Sequence, residues 1–175
     1  MSIILTAFKT EDIGQAIAIW NQVVREGIAF PQTEELTPVN GLGFFQEQSF
    51  TGVARDGETG EIVALYILHP NNIGRCGHIC NASYAVREDQ RGKRVGEALV
   101  THCMTTAWEL GFRILQFNAV VRSNAPALRL YQKLGFTQLG VIPGGFRKND
   151  GSFEDIIPHY IVLNHEMFKE SDRKK

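Results

Sequence analysis

Apolar residues recur along the chain at two periods, and the alternation of those periods sets out the elements. Ser2 to Phe8 reads as a strand. Ile13, Ala16, Ile17, Trp20, Val23 and Val24 then fall at helical spacing. Thr10 is the candidate cap of that helix, and Glu11 and Asp12 suit its positive end. Gly27 to Pro38 is irregular, and Thr37-Pro38 opens a second helix. Phe50 to Arg55 and Glu61 to Leu68 form two strands around the turn Asp56-Gly57-Glu58-Thr59-Gly60, a hairpin. His69 to Gly77 is a loop. A strand near His78 to Val86 follows, then a helix from about Arg94 to Leu110 that carries Val95, Ala98, Leu99, His102 and Cys103 on one side. Gly111 ends it. Arg113 to Val121 is a strand. Ser123-Asn124-Ala125-Pro126 caps a helix that runs to Leu134 and stops at Gly135. Phe136 to Ile142 is a strand, Pro143 to Phe153 a glycine-rich loop, and Ile156 to Leu163 the last strand. A meander followed by alternating strands and helices predicts an α/β fold, a mixed and mostly antiparallel sheet with helices on both faces.

The centre of this pattern is Cys80 to Gly96, a strand that stops at a charged, glycine-containing turn and then opens a helix. Such a junction leaves backbone N–H groups unpaired and aimed at one spot, which suits a phosphate. Arg87, Arg91, Lys93 and Arg94 supply local positive charge. That charge is local only: the 175-residue chain has a net charge of −1, which gives no footing for nucleic-acid binding. Apolar content of 43% and the absence of any membrane-length run predict a globular protein, one domain over residues 1–168 with a charged tail at 169–175. Three cysteines do not close a disulfide framework, so a cytoplasmic setting is expected. No Walker loop and no Gly-x-Gly-x-x-Gly pattern occurs.

Two motifs resemble the GNAT superfamily of N-acetyltransferases. Arg91-Gly92-Lys93-Arg94-Val95-Gly96, after Tyr84-Ala85-Val86, resembles its pyrophosphate loop, with Arg94 where the middle glycine is usual. Asn124-Ala125-Pro126-Ala127-Leu128-Arg129-Leu130-Tyr131-Gln132-Lys133-Leu134-Gly135-Phe136 resembles its second, longer motif. The stretch from Gly144 to Phe153 is similar to the subgroup of phosphinothricin and amino-acid N-acetyltransferases. The resemblance covers Cys80 to Leu163 and is weak before it.

The resemblance implies a GNAT fold, acetyl-CoA as co-substrate, no metal, and transfer of an acetyl group to a primary amine, a small molecule such as an amino acid, by direct attack in a ternary complex. Protein N-termini or lysines, and a non-catalytic acyl-CoA-binding role, are the alternatives. By resemblance, Tyr84, Ala85 and Val86 position the pantetheine arm. Residues 91–96 take the phosphates. Asn124, Tyr131 and Lys133 contact the cofactor, and Tyr131 protonates the leaving thiolate. Tyr131 also suits a core position, and Asn124 a helix cap. A homodimer is common in the subgroup.

The base is not apparent. Cys80 and Asn81 stand where the family often has a glutamate. His78, Glu154 and Asp155 are candidates, and so is the pair Glu34-Glu35, with Phe30, where the family often places its acceptor-binding loop. A closed acceptor pocket would draw on Trp20, Phe30, Phe44 and Phe45. Cys76, His78 and Cys80 alternate as on one strand face, but ligands about 7 Å apart suit tetrahedral zinc poorly.

Overall fold

The computed structural model describes residues 2–168, so the expected charged tail lies outside the described residues. Seven strands form one sheet in the order β1-β2-β3-β4-β5-β9-β6. They are β1 (Ile3–Ala7), β2 (Phe50–Asp56), β3 (Ile62–Pro70), β4 (Ile79–Val86), β5 (Ile114–Phe117), β6 (Thr137–Gln138) and β9 (His159–Val162). Every pairing is antiparallel except β4 with β5. Strands β7 (Ile142–Arg147) and β8 (Phe153–Ile156) make a separate two-stranded ribbon.

Helices cover both faces, as the alternating pattern requires. On one face α1 (Ile13–Glu26) and α2 (Pro38–Gln46) bury Trp20, Phe45, Val53 and Leu65 in one cluster. On the other, α3 (Val95–Glu109) and α4 (Ala125–Lys133) bury Leu99, Cys103, Leu115 and Tyr131. The short α5 (His165–Phe168) closes the described chain. Gly52 in β2 has a packing reason: a Cβ there would lie 2.2 Å from the Tyr66 ring, which is wholly buried.

Several expected boundaries move, each for a physical reason. Thr10 lies inside a 3-10 turn (Thr10–Asp12), and Asp12 secures the junction instead. Its carboxylate accepts from the Lys9 N–H at 2.9 Å and from Arg55 at 2.7 Å. Strand β5 ends at Phe117, not Val121, because its pairing with β9 stops at Phe117–His159, next to Pro158. Phe136 to Ile142 is not one strand; Gly140, at φ 138°, separates β6 from β7. Pro143 to Phe153 is a hairpin, not a loop. Its turn is held by Asp150, which accepts from Ser152 N–H and hydroxyl at 2.9 and 2.6 Å. The last expected strand is split by Pro158, which has no N–H for a ladder, so β8 and β9 belong to different sheets. The second helix starts as expected: Thr37 Oγ1 accepts from Asn40 N–H, and Asn40 Oδ1 from Thr37 N–H.

Candidate active site

The only β4–β5 pairs are Ile79 with Ile114 and Cys80 with Leu115. Beyond them the two strands splay. A cavity of about 390 Å³ fills the gap. Gly96 at the start of α3 lines it, and so do Asn124 and Tyr131 of α4. Phe30 and Pro31, from the segment after α1, wall another part of it. Strand β4 contributes Asn81, Ser83, Tyr84 and Val86. Because β4 pairs with β3 on one side only here, alternate backbone N–H and C=O groups along Ala82–Val86 point into the gap without a strand partner.

The turn before α3 leaves N–H donors free at the helix start. Gly92 has φ 77° and Arg94 φ 63°. Arg94 is the one non-glycine residue at positive φ among the described residues. It therefore adopts the left-handed conformation that glycine would hold at no steric cost. The N–H groups of Val95, Gly96 and Glu97 belong to the first helical turn, which offers them no intrahelical acceptor. The Arg94 side chain is exposed, and no hydrogen bond or ion pair holds it among the described residues. We expect Arg94→Gly to raise stability by about 0.5–1 kcal/mol, read as a shift of the urea midpoint. An unchanged midpoint would mean that this turn stores no strain.

Arg91 lies differently from the phosphate-facing role expected of it. Its Nη2 donates to both carboxylate oxygens of Glu26 at 2.8 and 2.9 Å, and its Nε to Val86 O at 3.3 Å. It braces the turn against α1. Lys93 donates to Gln90 Oε1 at 3.2 Å, a neutral partner, and keeps its charge available. Lys133 is committed to Glu97 at 2.6 and 2.7 Å, joining α4 to α3.

Tyr131 is 9% exposed and packs against Phe117, ring centroids 4.5 Å apart. Among the described residues no protein group takes its hydroxyl in a hydrogen bond. Burial, with Cys103 nearby, pushes its phenol well above the ordinary tyrosine range. It holds its proton at any working pH. Tyr84 is raised too, first by burial, and its hydroxyl is buried without a hydrogen-bond partner although the Cys103 thiol is a neighbour. Asn124 serves both readings at once. Its Oδ1 accepts from Ala127 N–H at 3.3 Å, which caps α4, and the residue lines the cavity.

The other sequence candidates lie elsewhere. Ala85 is fully buried on the α1 side of β4. His78 is exposed, ahead of β4, and does not line the cavity. Cys76 sits in a 3-10 turn, so Cys76, His78 and Cys80 do not alternate on one strand. Cys80 is fully buried and donates to Ile114 O, and burial pushes its thiol up to about 12, so it is no ready nucleophile. Glu34 and Glu35 are exposed, and Glu35 pairs with Arg25 at 2.6 Å. Glu154 accepts from Ser123 N–H, and Asp155 pairs with Arg122. Of the four aromatics expected to close a pocket, Phe30 lines it, while Trp20 and Phe45 are core.

The sequence profile of the acetyltransferase (GNAT) family matches residues 19–136. The chain belongs to the GNAT family of acetyltransferases. It is 35% identical over 107 residues to the N-acetyltransferase aca1 of Schizosaccharomyces pombe, a match covering 60% of this chain and 51% of that one. The chain thus spans about half the length of that relative. It is 31% identical over 150 residues to YwnH of Bacillus subtilis, whose name proposes a phosphinothricin acetyltransferase, with 83% and 90% coverage. Among solved structures, a GCN5-related N-acetyltransferase from Kribbella flavida superposes with a TM-score of 0.84 at 28% identity, over 92% of this chain and 98% of that one. A phosphinothricin acetyltransferase from Sinorhizobium meliloti, in complex with AcCoA, shares the fold at a TM-score of 0.86 and 20% identity, with 94% and 90% coverage. Two residues of this GNAT cavity, Ser83 and Asn118, were not singled out in the sequence. Alternation along β4 was the available signal for Ser83, because Cys80 and Ala82 face α3.

Proposed function

We propose that this acetyltransferase moves the acetyl group of acetyl-CoA to the primary amine of a small molecule, an amino acid or an analogue of one, by direct attack in a ternary complex. The observation that carries this reading is the cavity in the β4–β5 split, which joins the start of α3 to the Phe30 loop and has Tyr131 in its wall. The first-turn N–H groups of α3, with Lys93 and Arg94, would hold the phosphates. The unpaired backbone of β4 would take the pantetheine arm. Tyr131 keeps its proton until the departing thiolate can accept it. Phe30 gives the acceptor an apolar wall. The similarity to YwnH, over 83% of the chain, supports an amino-acid-like amine.

Calorimetric titration with acetyl-CoA, beside ATP and NAD, tests the co-substrate. We expect micromolar binding of acetyl-CoA and none of the controls. No heat with acetyl-CoA would overturn the reading. A screen of amino acids and phosphinothricin for CoA release then tests the acceptor, with a peptide N-terminus as the contrasting substrate.

A further inference from the structure

The cavity wall carries no carboxylate to accept the acceptor's proton. A histidine stands outside that wall, on the strand next to Asn81. Strand register sets a polar row across four strands on the face that α1 covers. His69 of β3 lies opposite Asn81 of β4. Gln116 of β5 is one step past the last β4–β5 pair, and Tyr160 of β9 lies opposite Gln116. In an antiparallel pair such as His69 with Asn81, directly opposed residues place their Cβ atoms about 4.5–5.5 Å apart on one face. The row reaches the cavity twice. Asn81 lines it, and Gln116 Nε2 donates at 3.0 Å to Asn118 Oδ1, which also lines it. Asn118 Nδ2 in turn donates to Asn71 Oδ1 at 2.7 Å. His69 is the only imidazole in the row. Its Nδ1 lies 3.0 Å from Pro70 O, and a carbonyl only accepts. That contact sets a proton on Nδ1, so Nε2 is the ring nitrogen left to exchange one.

We propose that His69 is the proton acceptor for the incoming amine, a role that rests on the acetyl transfer proposed above. An ammonium N–H bond breaks, and its proton passes through a water beside Asn81 to His69 Nε2, forming an imidazolium. The freed lone pair makes the new N–C bond at the thioester carbonyl. As the adduct collapses the C–S bond breaks, sulfur takes the Tyr131 proton, and the second proton of the nitrogen replaces it. His69, only partly buried, returns its proton to solvent. The side chains set beside it by the sheet are uncharged: Ile67 and Asn71 along the chain, and Asn81 across it. Arg75, Cys76 and His78 are exposed in the segment before β4, and Glu34 and Glu35 are exposed in the loop after α1.

His69→Gln keeps a polar side chain and removes the base. The test compares kcat/KM for phosphinothricin, or the best amino acid from the screen, with that for hydroxylamine, which is already unprotonated at neutral pH. At pH 7 the substitution should lower the first about 100-fold and leave the second within about twofold. The deficit should shrink as pH rises towards the pKa of the amine. Equal loss with both nucleophiles, or loss with neither, overturns the role. A wild-type protein that binds acetyl-CoA and turns over neither amine would instead count against the transfer reading.

Discussion

Tyr131→Phe should lower kcat about 100-fold while the affinity for acetyl-CoA stays within about twofold, the signature of a lost general acid. The expectation comes from three facts about one side chain. The ring is buried against Phe117, Phe136 and His159, so phenylalanine fills the same space. The hydroxyl has no protein hydrogen-bond partner among the described residues, so its removal orphans nothing and stability should hold. Burial, with Cys103 nearby, keeps the phenol protonated, so it can donate but cannot serve as a base near neutral pH. A structural tyrosine would give the opposite result, an altered melting temperature and an unchanged kcat. Steady-state kinetics with thermal unfolding on the same preparation separates the two. Unchanged kcat would return Tyr131 to the core and leave thiolate protonation to solvent.

Elements with local signals were legible in the sequence. The helix from Asn124 has its cap, its early proline and its stopping glycine within twelve residues, and α4 is where they place it. The turn before α3 was legible from Gly92 and the run of cations. What escaped depends on partners remote in the chain. Four nearby cations suggested that Arg91 faces a phosphate, yet Glu26, 65 positions earlier, claims its guanidinium. His78 is in phase with Cys80, but the strand begins at Ile79, and the phase carries no meaning outside it. His69 lies opposite Asn81 only because β3 pairs with β4 in one register, and Gln116 follows one step past the short β4–β5 pairing. Alternation within one strand cannot supply that relation. The end of β5 was overextended for the same reason: beyond Phe117 the chain leaves its β9 partner, and Val121 makes only an isolated bridge to Ile156 of β8.

The acceptor wall depends on such a remote partner, and Asn21→Ala should expose it. Gly27 to Thr37 has no ladder of its own, so its backbone polar groups need side-chain partners. Asn21 of α1, 6% exposed, supplies two. Its Oδ1 accepts from Leu36 N–H and its Nδ2 donates to Leu36 O, both at 2.8 Å. This amide closes the far end of the segment that carries Phe30 into the cavity. At the near end, Asn149 donates to Arg25 O at 3.1 Å and lies so close to Gly27 that a Cβ there would meet it at 2.4 Å. Alanine at position 21 removes both bonds to Leu36 and leaves a void in a buried helix face. The cost should be about 1–3 kcal/mol in a urea titration. The kinetic consequence should be selective. With the segment released, the Phe30 wall loses its fixed place, so the KM for the amine should rise about tenfold, while acetyl-CoA, whose proposed site is at α3 and β4, should bind as before. A destabilised protein with unaltered amine KM would mean that this loop closes the core and takes no part in holding the acceptor.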